Sequence, residues 1–172
     1  MDEPFPSADG LFPVSAPWAP PAAWHDQLPA AGRLGHWLTC EGSLTRALRA
    51  ACPGAFHLRV HARGERTLPA EGAALLGRPL GEPVRQREVW LLCGDAAVVF
   101  ARSWIPYGVL ADPGDNPLGD RLFEAGEAQR ESLEVAPVAV ADRTLWARRS
   151  LHRTAGGTLV VGEIFLEGIH AL

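Results

Sequence analysis

The stretch TLVVGEIFLEG, residues 158 to 168, places one carboxylate, Glu163, inside an apolar run. Read as a strand, Leu159, Val161, Glu163 and Phe165 share one face, while Val160, Gly162, Ile164 and Leu166 share the other. Neither face is polar enough to be wet. An ionised carboxylate buried alone is costly or takes up a proton, so Glu163 needs a cation, a donor or a ligand hydroxyl beside it. The arginines of VRQREVWLLC (84 to 93) and AAVVFARSWIP (96 to 106) are the complementary candidates. Arg87 begins the apolar face that continues through Val89 and Leu91, and a two-residue turn at Gly94-Asp95 sets Arg102 opposite Arg87. Two guanidinium groups across a strand pair repel unless an anion lies between them, and a small dianion would serve. The plainer alternative is an internal ion pair of Arg87 or Arg102 with Glu163 or Glu88, and spacing alone leaves both open.

Other residue types carry less. His57 and His61 stand four apart, but FHLRVHARG alternates as a strand, which separates them by about 13 Å and prevents a shared ion. Ser43, Ser103 and Ser150 lack a nucleophile-elbow sequence, and the cysteines lack an adjacent base. No GxGxxG or Walker sequence is present.

The elements that must position Glu163 and Arg87 are mostly hairpins. Strands are predicted over 56 to 64, 84 to 93, 96 to 106, 130 to 140, 145 to 154 and 158 to 167, the last two joined at Ala155-Gly156-Gly157. Helices are predicted over 31 to 39, over 44 to 51 behind a Ser43 cap, and after Asn116-Pro117, with Asn116 as cap and Pro117 in the first helical position. Residues 65 to 83 read as a long covering connection. The expectation is an α+β domain over 31 to 172, with one six-stranded antiparallel sheet and helices on one side. Ahead of it, residues 1 to 30 hold seven prolines among Phe5, Phe12, Trp18 and Trp24, and read as an extended arm that either lies partly on the domain or begins as a loose tail.

With 172 residues, 47% of them hydrophobic, the chain suffices for one domain with a real core. A net charge of -4, with its sixteen basic residues, all Arg, scattered along the chain, gives no stripe for a phosphate backbone, so no nucleic acid partner is expected. No apolar run reaches the roughly 20 residues of a membrane-spanning helix. Three cysteines without a CxxC pair, behind an acidic, proline-broken N-terminus, point to a reducing cytoplasm.

Six collinear blocks then carry a family likeness: CEGSLTRAL (40 to 48), VRQREVWLLC (84 to 93), FARSWIP (100 to 106), NPLGDRLF (116 to 123), LWARRSLHR (145 to 153) and GEIFLE (162 to 167). Together they resemble chorismate pyruvate-lyase, which makes 4-hydroxybenzoate for ubiquinone synthesis. The resemblance implies an antiparallel sheet with an internal site shut by flaps. It also implies Arg87 on the ring carboxylate, Glu163 beside the ring hydroxyl, and main-chain contacts at Leu44 and Leu118, where the family commonly has Met in place of Leu44. On this reading chorismate loses pyruvate by cofactor-free elimination in a cytoplasmic monomer. The runner-up is a ligand-binding effector domain of the same fold, as in some bacterial transcription regulators, without catalysis; a protein-interaction module with structural Arg and Glu comes third.

Overall fold

The computed structural model describes residues 4–7, 9–28, 33–124, 126 and 128–172. Its centre is one antiparallel sheet of β1 (Phe56–Thr67), β2 (Pro83–Cys93), β3 (Ala96–Pro106), β4 (Ala128–Val140), β5 (Arg143–Thr154) and β6 (Gly157–Phe165), in the order β1-β2-β3-β6-β5-β4. The expected α+β class and six-stranded sheet are therefore what the chain adopts. β6, the strand that carries Glu163, lies between β3 and β5, and its residues from Leu159 to Phe165 are buried on both faces. That central place explains why the residues around Glu163 are apolar on both faces, since a strand covered on both sides has no polar alternation to show.

On one face lie α1 (Leu34–Thr39), α2 (Leu44–Ala51) and α4 (Leu118–Glu124). Leu38, Leu44 and Leu48 pack there against Val89, Leu91, Val99 and Phe165. Ser43 caps α2 as expected, its Oγ accepting from the Arg46 N–H at 3.2 Å. α4 begins one residue later than predicted: Pro117 supplies the carbonyl that accepts from Arg121 N, and the Asn116 side chain donates to the Pro113 carbonyl instead of capping. Of the helix predicted over 31 to 39, residues 31 and 32 lie outside the described residues, and α1 covers the remainder from Leu34.

The opposite face is covered by the N-terminal arm and by α3 (Ala70–Leu76), a helix within the stretch read as a connection. Pro69 precedes it and Gly77, at φ 60°, ends it in the left-handed region, so the two residues that looked like breakers are its caps. Phe5, Leu11 and Phe12 are buried against Phe100 and Ile164. The arm then runs along the β4 edge through bridges Val14–Val138 and Ala19–Val135, and Trp24 docks on the first face against Trp146, donating from Nε1 to the Val135 carbonyl at 2.8 Å. Gly162 makes this packing possible, because a Cβ there would stand 2.8 Å from Phe12 Cε2.

Two sequence readings need correction. First, β2 and β3 shift register between Leu91 and Leu92, so Arg102 faces Glu88 and Arg87 faces Ser103. The bulge turns the Arg102 side chain to the arm's face. There it donates to Glu88 Oε1 at 2.8 Å, to the Phe5 carbonyl at 3.1 Å and to the Leu11 carbonyl. The facing guanidinium pair does not exist, and the internal ion pair with Glu88 does. Second, Cys52, just after α2, and Cys93, ending β2, form a disulfide with Cα atoms 5.6 Å apart, leaving Cys40 as a buried thiol. Their separation of 41 residues is why no local motif announced them.

Candidate functional site

Sheet register decides which side chains meet. Arg87 on β2 pairs with Ser103 on β3, which pairs with Val161 on β6; Val89, Ala101, Glu163 and Arg148 form the next row on the same face. Two strand spacings and one two-residue step put the Arg87 and Glu163 Cα atoms roughly 12 Å apart. Between this wall and the helices lies a cavity with about 570 Å³ of space free of protein atoms, counting what opens to solvent. Leu44, Arg87, Leu118 and Glu163, which come from four different elements, all line it. Gly119 lets the start of α4 approach the start of α2 over the cavity, since a Cβ there would meet Ser43 Oγ and Thr45 Oγ1 at 3.2 Å.

Arg87 is 4% exposed. Its Nε donates to the Gly114 carbonyl at 3.2 Å and its Nη2 to the Asn116 carbonyl at 2.8 Å, which ties it to the loop ahead of α4. Burial pushes its pKa below the ordinary arginine value, against the pull of Asp112 and Asp115, yet a guanidinium remains charged throughout the working pH range. Among the described residues nothing accepts from Nη1, so this cation retains donor capacity for an anion in the cavity.

Glu163 does have a cationic partner, and it is Arg148. The Arg148 Nε donates to Glu163 Oε2 at 2.5 Å, while its Nη1 reaches the Trp37, Leu38 and Cys40 carbonyls at 3.1, 3.4 and 3.3 Å. One guanidinium thus satisfies carbonyls at the C-terminal end of α1 and neutralises the buried acid. The sequence reading, which weighed a ligand hydroxyl against Arg87 or Arg102 as the partner of Glu163, missed Arg148. The signal was there: with Thr154 opposite Gly157, unbroken pairing along the β5–β6 hairpin brings Arg148 opposite Glu163. Oε1 of Glu163 has no hydrogen-bond partner among the described residues.

His152, 4% exposed and also in the cavity wall, is the second residue passed over. Desolvation pushes its pKa down to about 4; Glu163 pulls upward, and Arg130 and Arg148 push down. The folded protein therefore disfavours the protonated ring, which the unfolded chain acquires below about pH 6.5. Stability supplied by the neutral ring is complete above that pH and is lost as pH falls towards 4, by about 3 kcal/mol in all. Urea titrations across this window should show the loss in the natural protein and a flatter profile in His152→Leu.

His57 and His61 do not come together as a chelate. His61 sits at a bulge in β1, where its ring lies edge-on to Trp90 and Phe100 and its Nε2 is 3.9 Å from Glu88 Oε2. Among the described residues no group of three or more His, Cys, Asp or Glu side chains is placed to hold a metal ion.

An antiparallel sheet with a cavity walled by Arg87, Arg130 and the Arg148–Glu163 pair defines an α+β domain with an internal pocket. A family model described as chorismate lyase matches residues 14–171. The chain is 34% identical over 167 residues to a probable chorismate pyruvate-lyase of Azoarcus sp., covering 81% of this chain and 87% of that protein. It is 37% identical over 160 residues to one of Aromatoleum aromaticum, covering 80% and 86%. The chain belongs to the chorismate lyase family. Among solved structures it is similar to the effector domain of PhnF from Mycobacterium smegmatis, with TM-score 0.56, 17% identity, and 73% of this chain and 89% of that chain covered. A second similarity is to the ligand-binding domain of a putative GntR-family transcriptional regulator from Bordetella bronchiseptica, with TM-score 0.50, 20% identity, and 66% and 86% covered. At such identities the likeness shows the fold alone.

Proposed function

We propose that the protein converts chorismate to 4-hydroxybenzoate and pyruvate. The observation that carries this reading is the placement of Arg87 and Glu163 on one cavity wall, about 12 Å apart between Cα atoms, each held by other groups and not by the other. A flat six-membered ring with a carboxylate at one pole and a hydroxyl at the other spans such a gap. Arg87 binds the ring carboxylate through a charge-assisted bond, and Glu163 Oε1 accepts from the hydroxyl. Main-chain groups at Leu44 and Leu118, at the starts of α2 and α4, close the pocket over the ring. Arg130, whose Nη1 donates to the Cys40 carbonyl at 3.0 Å, adds a second cation at the Glu163 pole, suited to the enolpyruvyl carboxylate.

In the reaction the proton on the hydroxyl-bearing carbon leaves, the ether C–O bond breaks, and the departing enolpyruvate gains a proton to become pyruvate. Ring aromatisation drives this, so the protein's work is to hold a reactive conformer and stabilise the anion that forms. Glu163, fixed by Arg148, orients the hydroxyl. We place the protein in the cytoplasm as a monomer supplying 4-hydroxybenzoate for ubiquinone synthesis; there the Cys52–Cys93 pair would stand reduced. The deciding experiment mixes purified protein with chorismate and follows aromatic absorbance together with pyruvate release. Appearance of both products in equal amounts is expected. Binding without conversion would instead assign a sensor, and no binding would remove the reading altogether.

A further inference from the structure

His152 is a buried polar group of the cavity wall that neither the fold nor the proposed chemistry explains. Its ring stands edge-on to Phe123 at 5.7 Å, its register partner is Leu159, and a leucine would fill the place without a polar atom to satisfy. Its one hydrogen-bond partner among the described residues is Ser150, two residues back on the same face of β5, with Nε2 2.9 Å from Oγ. Its Nδ1 is buried without a partner. Ser150 is 3% exposed, lines the cavity, and pairs with Val161, one step along from the Arg148–Glu163 pair. The Ser150 hydroxyl is therefore at the same pole as Glu163.

We propose that Ser150, positioned by His152, is a second hydrogen-bonding group for the ligand hydroxyl, donating to the oxygen whose proton Glu163 accepts. The polarity follows from donor counting. A ligand hydroxyl has one proton and two lone pairs, and an ionised Glu163 only accepts, so the proton goes to Oε1 and the oxygen still lacks a donor. Arg148 gives its Nε to Glu163 and its Nη1 to the carbonyls of Trp37, Leu38 and Cys40, so the donors left at this pole are its Nη2 and the Ser150 hydroxyl. The Ser150 proton is available to the ligand only if the His152 ring does not take it, and a neutral His152 protonated on Nε2 donates to Oγ instead of accepting from it. Nδ1 is then a bare lone pair, which is tolerated in a buried wall more readily than an orphaned N–H. The chain of donors runs from His152 Nε2–H to Ser150 Oγ–H to the ligand oxygen, and from the ligand O–H to Glu163. A leucine at position 152 would leave the Ser150 hydroxyl free to turn and donate elsewhere.

This rests on the reading that the hydroxyl pole lies at Glu163, and the test separates the two. Calorimetry measures the affinity of the full chain for 4-hydroxybenzoate and for benzoate, which differ only in the hydroxyl. Their ratio cancels any loss of folded protein common to both titrations. The ratio should fall several-fold in Ser150→Ala, by a similar factor in His152→Leu, and no further in the double variant, because the two act as one unit. Nitrogen-15 shifts of the His152 ring with 4-hydroxybenzoate bound should report the Nε2–H tautomer. An unchanged ratio in either single variant, an additive double variant or an Nδ1–H tautomer overturns the proposal, even if chorismate is turned over. If chorismate is not turned over but the ratio behaves as stated, the function reading fails and the Ser150–His152 pair stands. If the natural protein shows no preference between the two acids, both fail.

Discussion

Arg87→Ala is expected to lower kcat/KM for chorismate by about 10²–10³-fold, corresponding to loss of about 3–4 kcal/mol from a buried charge-assisted contact. The magnitude follows from where the guanidinium sits. It is 4% exposed, so little water is available to replace it against a carboxylate. Part of the loss would come through the loop it anchors, since the Gly114 and Asn116 carbonyls lose their donor together with the ligand. Comparing ligands separates the two contributions. The natural protein should bind 4-hydroxybenzoate far more tightly than phenol, and Arg87→Ala should nearly abolish that preference. Loss of the loop anchor alone would weaken both ligands alike. Arg87→Lys keeps the charge but not the fork of donors, and should fall between the two. Calorimetry showing the natural affinity for 4-hydroxybenzoate in Arg87→Ala would remove Arg87 from the carboxylate contact.

How far the sequence reached can be followed along β2, β3, β5 and β6. The Gly94-Asp95 turn announced the first hairpin, and both strand ends agree with it. Its register was not legible, because the shift between Leu91 and Leu92 inserts one residue that no turn chemistry marks, and one residue changes a side chain's face. Arg102 was therefore read into the site, when it belongs to the packing under the arm. The β5–β6 hairpin has no such interruption, and Arg148 could have been counted onto Glu163 from Thr154 and Gly157. Leu44 and Leu118 came only from the family likeness, since a main-chain contact leaves no requirement on side-chain type. α3 was hidden because a seven-residue helix containing Gly72 shows barely two turns of periodicity. The arm's aromatics did signal docking. That it would wrap the β4 edge was not readable, as the edge itself exists only once the sheet order is known.

The Arg148–Glu163 pair should show the largest stability effect in the molecule, and its two halves should behave differently. Arg148→Met leaves a carboxylate 8% exposed without its ion-pair partner, with Arg130 the remaining cation at that pole, which costs about 3 kcal/mol at neutral pH. Glu163→Gln is milder: Arg148 keeps the carbonyls of Trp37, Leu38 and Cys40, and the new amide oxygen still accepts from it. In the double variant Arg148→Met with Glu163→Gln no charge is stranded, so urea denaturation should recover most of the stability lost in Arg148→Met alone. Turnover should follow the opposite pattern. Restoring stability with a neutral pair does not restore a carboxylate to accept from the ligand hydroxyl, so the double variant should be well folded and poorly active. If the stability losses simply add, the ion pair is not what holds Glu163 in the wall; if the folded double variant turns over chorismate at the natural rate, the acid is there for the fold and not for the substrate.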